Sequence, residues 1–320
     1  MRSSHMNKNR FEDVFKAYFN GKLNFSDMLN LNIDENIEIL SLGNREVIKC
    51  SEDLKKIHSF FNLFIFDYLE IQADSVFSYR KGVNVVDAIR PHAKNKFIFK
   101  TDIKRFFPSI SHSLIHNCIF SQIENIPFLD FPTYLDRVCD LVTYNGKLPV
   151  GFSTSPNISN AIFNPLDIKI KEYCSYNKLT YTRYADDLMI SSNNYLDKED
   201  YIKIISNIIK LDDGHHFTIN IEKTKLIKKS KNMDVMGVKI HPDGTLTIGK
   251  KLKNEIETKL YLFSKNQDDF VKFSKQEKES SKAKLTGQLN YINTIDPDYI
   301  VKLKTKYGNS LVELFFRKAI

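Results

Sequence analysis

Between Leu179 and Ser191 the chain alternates β-branched and aromatic residues with polar ones, breaks at Tyr184-Ala185-Asp186-Asp187, and resumes the alternation. That pattern predicts strand, tight turn, strand. Upstream, the apolar run Phe97-Ile98-Phe99 leads to Asp102 and predicts a buried strand ending on the acid. From Ser51 to Phe66 apolar positions recur at helical spacing behind a serine cap. Ser159 to Tyr176 reads as an amphipathic helix broken early by Pro165. Residues 7–95 are mostly helical, 96–245 hold strands with intervening helices, and 246–320 are helix-rich; residues 1–6 read as an expression scar.

Two adjacent carboxylates at a hairpin tip repel each other, and a divalent cation removes that cost. A solvated turn is the plain alternative for Asp186 and Asp187, and a helix N-cap is the plain alternative for Asp102. A third acid from a distant strand is also what two-metal phosphoryl transfer needs, because cations about 4 Å apart take several carboxylates to hold.

Charge and composition narrow the field. Of the formal +8, residues 221–320 supply 21 Lys+Arg against 12 Asp+Glu, while the rest hold 26 against 27. A basic C-terminal third suits a clamp on a phosphate backbone, although solvated lysine-rich helix faces have the same composition. Cys50, Cys118, Cys139 and Cys174 are scattered without zinc-ligand spacing and read as thiols in a reducing, cytoplasmic setting. No apolar run is long enough to cross a bilayer.

From about Leu40 onward the chain resembles the reverse transcriptases, and within them the bacterial retron, group II intron and phage-defence types. Asp102 to Ile110 resembles the first catalytic block of that family. Leu148-Pro149-Val150-Gly151-Phe152-Ser153-Thr154-Ser155-Pro156 resembles the second, and Tyr184 to Asp187 the third. Phe217 to Lys225 resembles the segment after the catalytic hairpin, and Asp234 to Ile240 the primer-grip hairpin. Leu285 to Ile292 and Leu303 to Gly308 resemble the helical thumb. The pattern departs from the retron enzymes at Val150, where glutamine is usual. It departs again at Ala88-Ile89-Arg90-Pro91-His92, where only the histidine of an RNA-recognition element remains, and at Val235-Met236-Gly237. These departures favour a defence branch outside the retrons.

The resemblance implies an α+β fold of right-hand polymerase type: fingers at 7–95, a palm at 96–245 with an antiparallel sheet backed by helices, and a basic helical thumb at 246–320. It implies an RNA-directed DNA polymerase that copies a non-coding RNA into cDNA, with an accessory defence protein or self-association compatible and no membrane partner. Asp102, Asp186, Asp187 and the backbone carbonyl of Ile103 carry over as ligands of two Mg2+ ions, with Mn2+ able to substitute. Arg45, Lys49, Phe107, Val150, Gly151 and Lys223 carry over to the dNTP, with Phe107 excluding a ribose 2′-hydroxyl. Arg80, Lys81, Ser155, Pro156, Tyr184, Met236, Gly237, Lys250, Lys251 and Lys253 carry over to template and primer. Recognition of the partner RNA falls to the N-terminal helices and Ala88–His92. The alternatives are a retron enzyme making branched RNA–DNA, a template-independent or protein-primed polymerase, and a vestigial RNA-binding module.

Overall fold

The computed structural model describes residues 8–43, 45–210, 217–229, 233–274 and 278–316; residues 1–6, Asn44 and the side chain of Arg45 lie outside the described part. The chain forms two compact units. The first takes the chain up to Val83, Phe99–Ile190 and Asp197–Lys225, and the second takes Asn84–Ile98, Ser191–Leu196 and the chain from Leu226 onward.

The first unit opens with a phenylalanine-rich helical layer. Helix Phe11–Phe19 buries Phe11, Phe15 and Phe19 on one face, as the i, i+4 spacing dictates. Phe11 packs against the rings of Phe25, Phe60 and Phe128. Strands β1 (Ile37–Leu42) and β2 (Arg45–Cys50) form an antiparallel hairpin with Ile37 opposite Cys50. Helix Glu52–Phe64 follows, and Ser51 caps it by accepting from the Leu54 N–H at 3.2 Å.

Strands β3 (Phe97–Asp102), β4 (Thr180–Tyr184), β5 (Asp187–Ser192) and β6 (Lys225–Lys228) form one sheet in the order β4-β5-β3-β6. A long helix, Ser155–Tyr176, precedes β4. It begins four residues before the predicted Ser159 and is continuous through Pro165. Pro165 lies on the exposed face while Phe163, Leu166 and Ile170 are buried, so packing holds the helix despite one lost backbone hydrogen bond.

In the second unit β7 (Met233–Val235), β8 (Val238–Ile240) and β9 (Leu246–Ile248) make an antiparallel meander. Met236 and Gly237 turn β7 into β8 with φ of +53° and +80°, the mirror-image conformation that suits a two-residue hairpin. Helices Lys250–Lys265, Gln267–Ser274, Lys278–Ile295, Pro297–Tyr307 and Asn309–Glu313 follow around a core that includes Ile256, Leu260, Leu285 and Ile292. Among the described residues no helix is long and apolar enough to cross a membrane. Antiparallel hairpins and helices in separate runs make the chain α+β, as expected.

Candidate active site

The adjacent acids sit where the alternation placed them. Tyr184 ends β4, Ala185 and Asp186 form the turn, and Asp187 opens β5. Ala185 holds φ +56°, a left-handed conformation that costs a side-chain-bearing residue about 1 kcal/mol or more. A buried clamp holds it there. The Arg183 guanidinium, fully buried, donates from Nη1 to the Ala185 carbonyl at 3.0 Å. The same guanidinium grips both oxygens of Asp167 on the long helix, and Tyr181 Oη donates to Asp167 at 2.6 Å. The charges and hydrogen bonds of Asp167 hold Arg183 protonated against the burial that opposes it.

Asp102 joins this turn through the backbone. The Ile103 N–H donates to the Asp186 carbonyl at 2.9 Å, and the Asn220 N–H donates to the Asp102 carbonyl at 2.7 Å. Ile103 also bridges Ile219 antiparallel. The end of β3, the hairpin tip and the segment before β6 therefore meet at one spot.

Lysines neutralise two of the three carboxylates. Lys223 Nζ lies 3.0 Å from Asp102 Oδ2, and Lys100 Nζ lies 2.6 Å from Asp187 Oδ1. Asp186 has no ion pair among the described residues. Burial first, then the neighbouring charges of Asp187 and Asp102, raise its pKa above the ordinary carboxylate value. An under-neutralised carboxylate beside two others fits a divalent cation. Among the described residues no three acid, histidine or cysteine side chains converge into a complete metal cage. Mg2+ needs no such cage, since it commonly takes one or two carboxylates and completes its shell with phosphates and water.

The remaining predicted residues divide by what they touch. Phe106 is buried, whereas Phe107 is half-buried with its ring 6.4 Å from that of Tyr79, so one of the pair is core and the other lies part-exposed beside Tyr79. Lys49 pairs across the hairpin with Glu38 at 2.8 Å. Half-buried Val150 accepts a hydrogen bond from the Ile48 N–H at 2.8 Å. A Cβ on Gly151 would stand 2.1 Å from the Ile48 carbonyl oxygen, so the close approach that this structure requires of the glycine is to β2. Ser155 is a second correction: it is fully buried and donates to the Pro149 carbonyl at 2.6 Å, so it shapes the loop without reaching a ligand. Pro156, beside it, is half-buried at the helix start.

Arg80 spends Nη1 on the carbonyls of Ala73 and Val76 at 2.7 and 2.6 Å, while Lys81 is exposed. Both line a groove of about 540 Å3 with Asn62, Tyr79, Asn157 and Asn160. In the second unit Lys250 and Lys251 are exposed, but Lys253 is held by Asp296 at 3.2 Å and lies over the Tyr299 ring. Ala88 and His92 are fully buried, His92 Nδ1 lying 2.6 Å from Ser191 Oγ, which leaves Arg90 and Pro91 as the exposed part of that stretch. Sequence reading missed Lys100, Asn160, Asp167, Arg183 and Asn220; buried-type positions holding charge, Asp167 and Arg183, were the signal available.

An acid-bearing hairpin beside an acid-ended strand, with a helical basic C-terminal region, defines a right-hand nucleotide polymerase. The family model "Reverse transcriptase (RNA-dependent DNA polymerase)" matches residues 43–240, well over half of the chain. The chain belongs to the reverse transcriptase family and is an RNA-directed DNA polymerase. It is similar to the retron Ec73 reverse transcriptase of Escherichia coli, 29% identical over 274 residues, covering 83% of each chain. It is also similar to the retron Ec83 reverse transcriptase of that organism, 27% identical over 250 residues and 75% of each chain. Among solved structures, the telomerase of Candida albicans with a fragment of telomeric RNA aligns at TM-score 0.45 and 11% identity, over 95% of this chain and 59% of that one.

Proposed function

We propose that this polymerase copies a dedicated non-coding RNA into cDNA by two-metal nucleotidyl transfer, in defence against phage. The observation that supports the chemistry is the backbone link from Ile103 to Asp186, which brings the acid-bearing end of β3 beside the turn that carries Asp186 and Asp187. A primer 3′-hydroxyl attacks the α-phosphate of a bound dNTP and pyrophosphate leaves; positioning and charge neutralisation do most of the catalysis. Two Mg2+ ions, or Mn2+ in their place, would supply that neutralisation from Asp102, Asp186, the Ile103 carbonyl and, as the less central ligand, Asp187.

Other residues act directly. Lys223, with a side chain 60% exposed, exchanges Asp102 for an incoming phosphate. Arg45 holds the triphosphate, and Lys49 joins it by leaving Glu38, an exposed pair that solvent screens. Phe107 excludes the ribose hydroxyl by contact, with Val150 at the same sugar. Lys81, Tyr184, Met236, Gly237, Lys250 and Lys251 approach template and primer.

A second reading has its own support. The two retron enzymes of Escherichia coli named above match three quarters or more of this chain, which favours a branched RNA–DNA product. The departures at Val150, Ala88–His92 and Met236 favour an enzyme outside the retrons. Sequencing the nucleic acid that copurifies with the active protein, before and after debranching, separates them. A defined RNA with its complementary DNA is expected. A 2′,5′ branch would select the retron reading, and untemplated DNA would overturn copying.

A further inference from the structure

The cation on Asp187 has no place in the chemistry just described. Lys100 sits in β3 two residues before Asp102, so strand alternation puts both on one face of the sheet. The neighbouring strand β5 begins with Asp187, and the two side chains meet at 2.6 Å. Their exposures, 25% and 23%, contrast with the 60% of Lys223 on Asp102. One lysine is held between strands; the other is free to swing.

We infer that Lys100 is a positioning residue, a fixed internal counter-cation that occupies one oxygen of Asp187 and holds down divalent-metal affinity while no nucleotide is bound. This rests on the metal-site reading above. A metal ion sharing Asp187 competes with the Lys100 ammonium for Oδ1 and meets its repulsion. In the free protein Lys100 and Lys223 together leave the three acids with one uncompensated negative charge. Metal loading therefore leans on the phosphates of the nucleotide, and by linkage nucleotide and metal strengthen each other's binding.

The test is Mn2+ binding to the full chain without nucleotide, read by the paramagnetic resonance of free Mn2+, with thermal melting as the check on folding. Lys100→Met should bind Mn2+ about tenfold tighter than the natural protein, since a like charge has been removed from the site, and Lys100→Arg should return the natural affinity. Adding dNTP should tighten Mn2+ binding less in Lys100→Met than in the natural protein. Where loss of the lysine alone unfolds the chain, Asp187→Asn with Lys100→Met removes both charges. That double variant should bind Mn2+ more tightly than Asp187→Asn alone. Unchanged or weaker binding in folded Lys100→Met, or no gain in the double variant, overturns the inference. Failure of the metal-site reading is separate: Asp186→Asn and Asp102→Asn would then leave Mn2+ binding intact.

Discussion

Asp102 and Asp186 differ in what surrounds them, and the difference sets how a substitution acts. Asp102 has Lys223 and the Asn220 amide on Oδ2, whereas Asp186 is raised in pKa by burial and by its acidic neighbours. Asp186→Asn relieves repulsion while removing a ligand charge, so the fold should survive and nucleotide incorporation should fall below a few per cent of the natural rate. Asp102→Asn should do the same, and primer extension in Mg2+ with melting curves checks both. Retained synthesis in the two variants would sink the assignment. Phe107→Val should raise ribonucleotide use relative to dNTP use, because the gate proposed for this half-buried ring beside Tyr79 works by steric exclusion. Steady-state sugar discrimination is the measurement, and an unchanged ratio with activity kept would return Phe107 to the core.

At the level of elements, the acid-bearing hairpin depends on a pair the alternation pattern does not reveal. Arg183→Met leaves Asp167 buried and uncompensated and frees the Ala185 carbonyl, which should cost about 3–5 kcal/mol in urea unfolding. A cost under about 1 kcal/mol would show that the clamp is not what holds the turn. Local pattern marked the hairpin, the Ser51 cap and the acid at the end of β3, because each is a property of residues close in sequence. Lys100 facing Asp187 and Gly151 facing Ile48 depend on which strands become neighbours, and no local period encodes that. Pro165 misled for a related reason: a proline on the solvent face of a well-packed helix does not end it. Ser155 misled because its motif position says nothing of the Pro149 carbonyl that takes its hydroxyl.

Across the whole molecule, two buried histidines tie stability to pH. Burial pulls the pKa of His58 down to about 4 and that of His92 to about 3. Both stay neutral in the fold while an unfolded chain takes up protons below about pH 6.5. Stability should be level above that value and fall beneath it, by up to about 2.7 kcal/mol per pH unit between roughly pH 6 and 4 for the two together. Urea unfolding from pH 7.5 to 5 checks this, and a flat profile would contradict it. Binding to nucleic acid should weaken steeply with salt, and Lys250→Gln with Lys251→Gln should lower the slope by about 2, equally for unrelated sequences. Titration across salt concentrations would expose an unaltered slope as a solvated surface. Charge neutralisation is the sound test here because of how the chain is interleaved. The second unit draws on Asn84–Ile98 and Ser191–Leu196 as well as everything after Leu226. A ribosome releases the first of these segments more than 200 residues before the last described helix, about 10–40 s earlier at roughly 5–20 residues per second. For that interval Ile98 and Ile89 have no completed core to enter, and shortening the gene would make the wait permanent. Synthesis order thus leaves this unit unfinished until its last helices emerge, an interval in which chaperones and proteases can reach it.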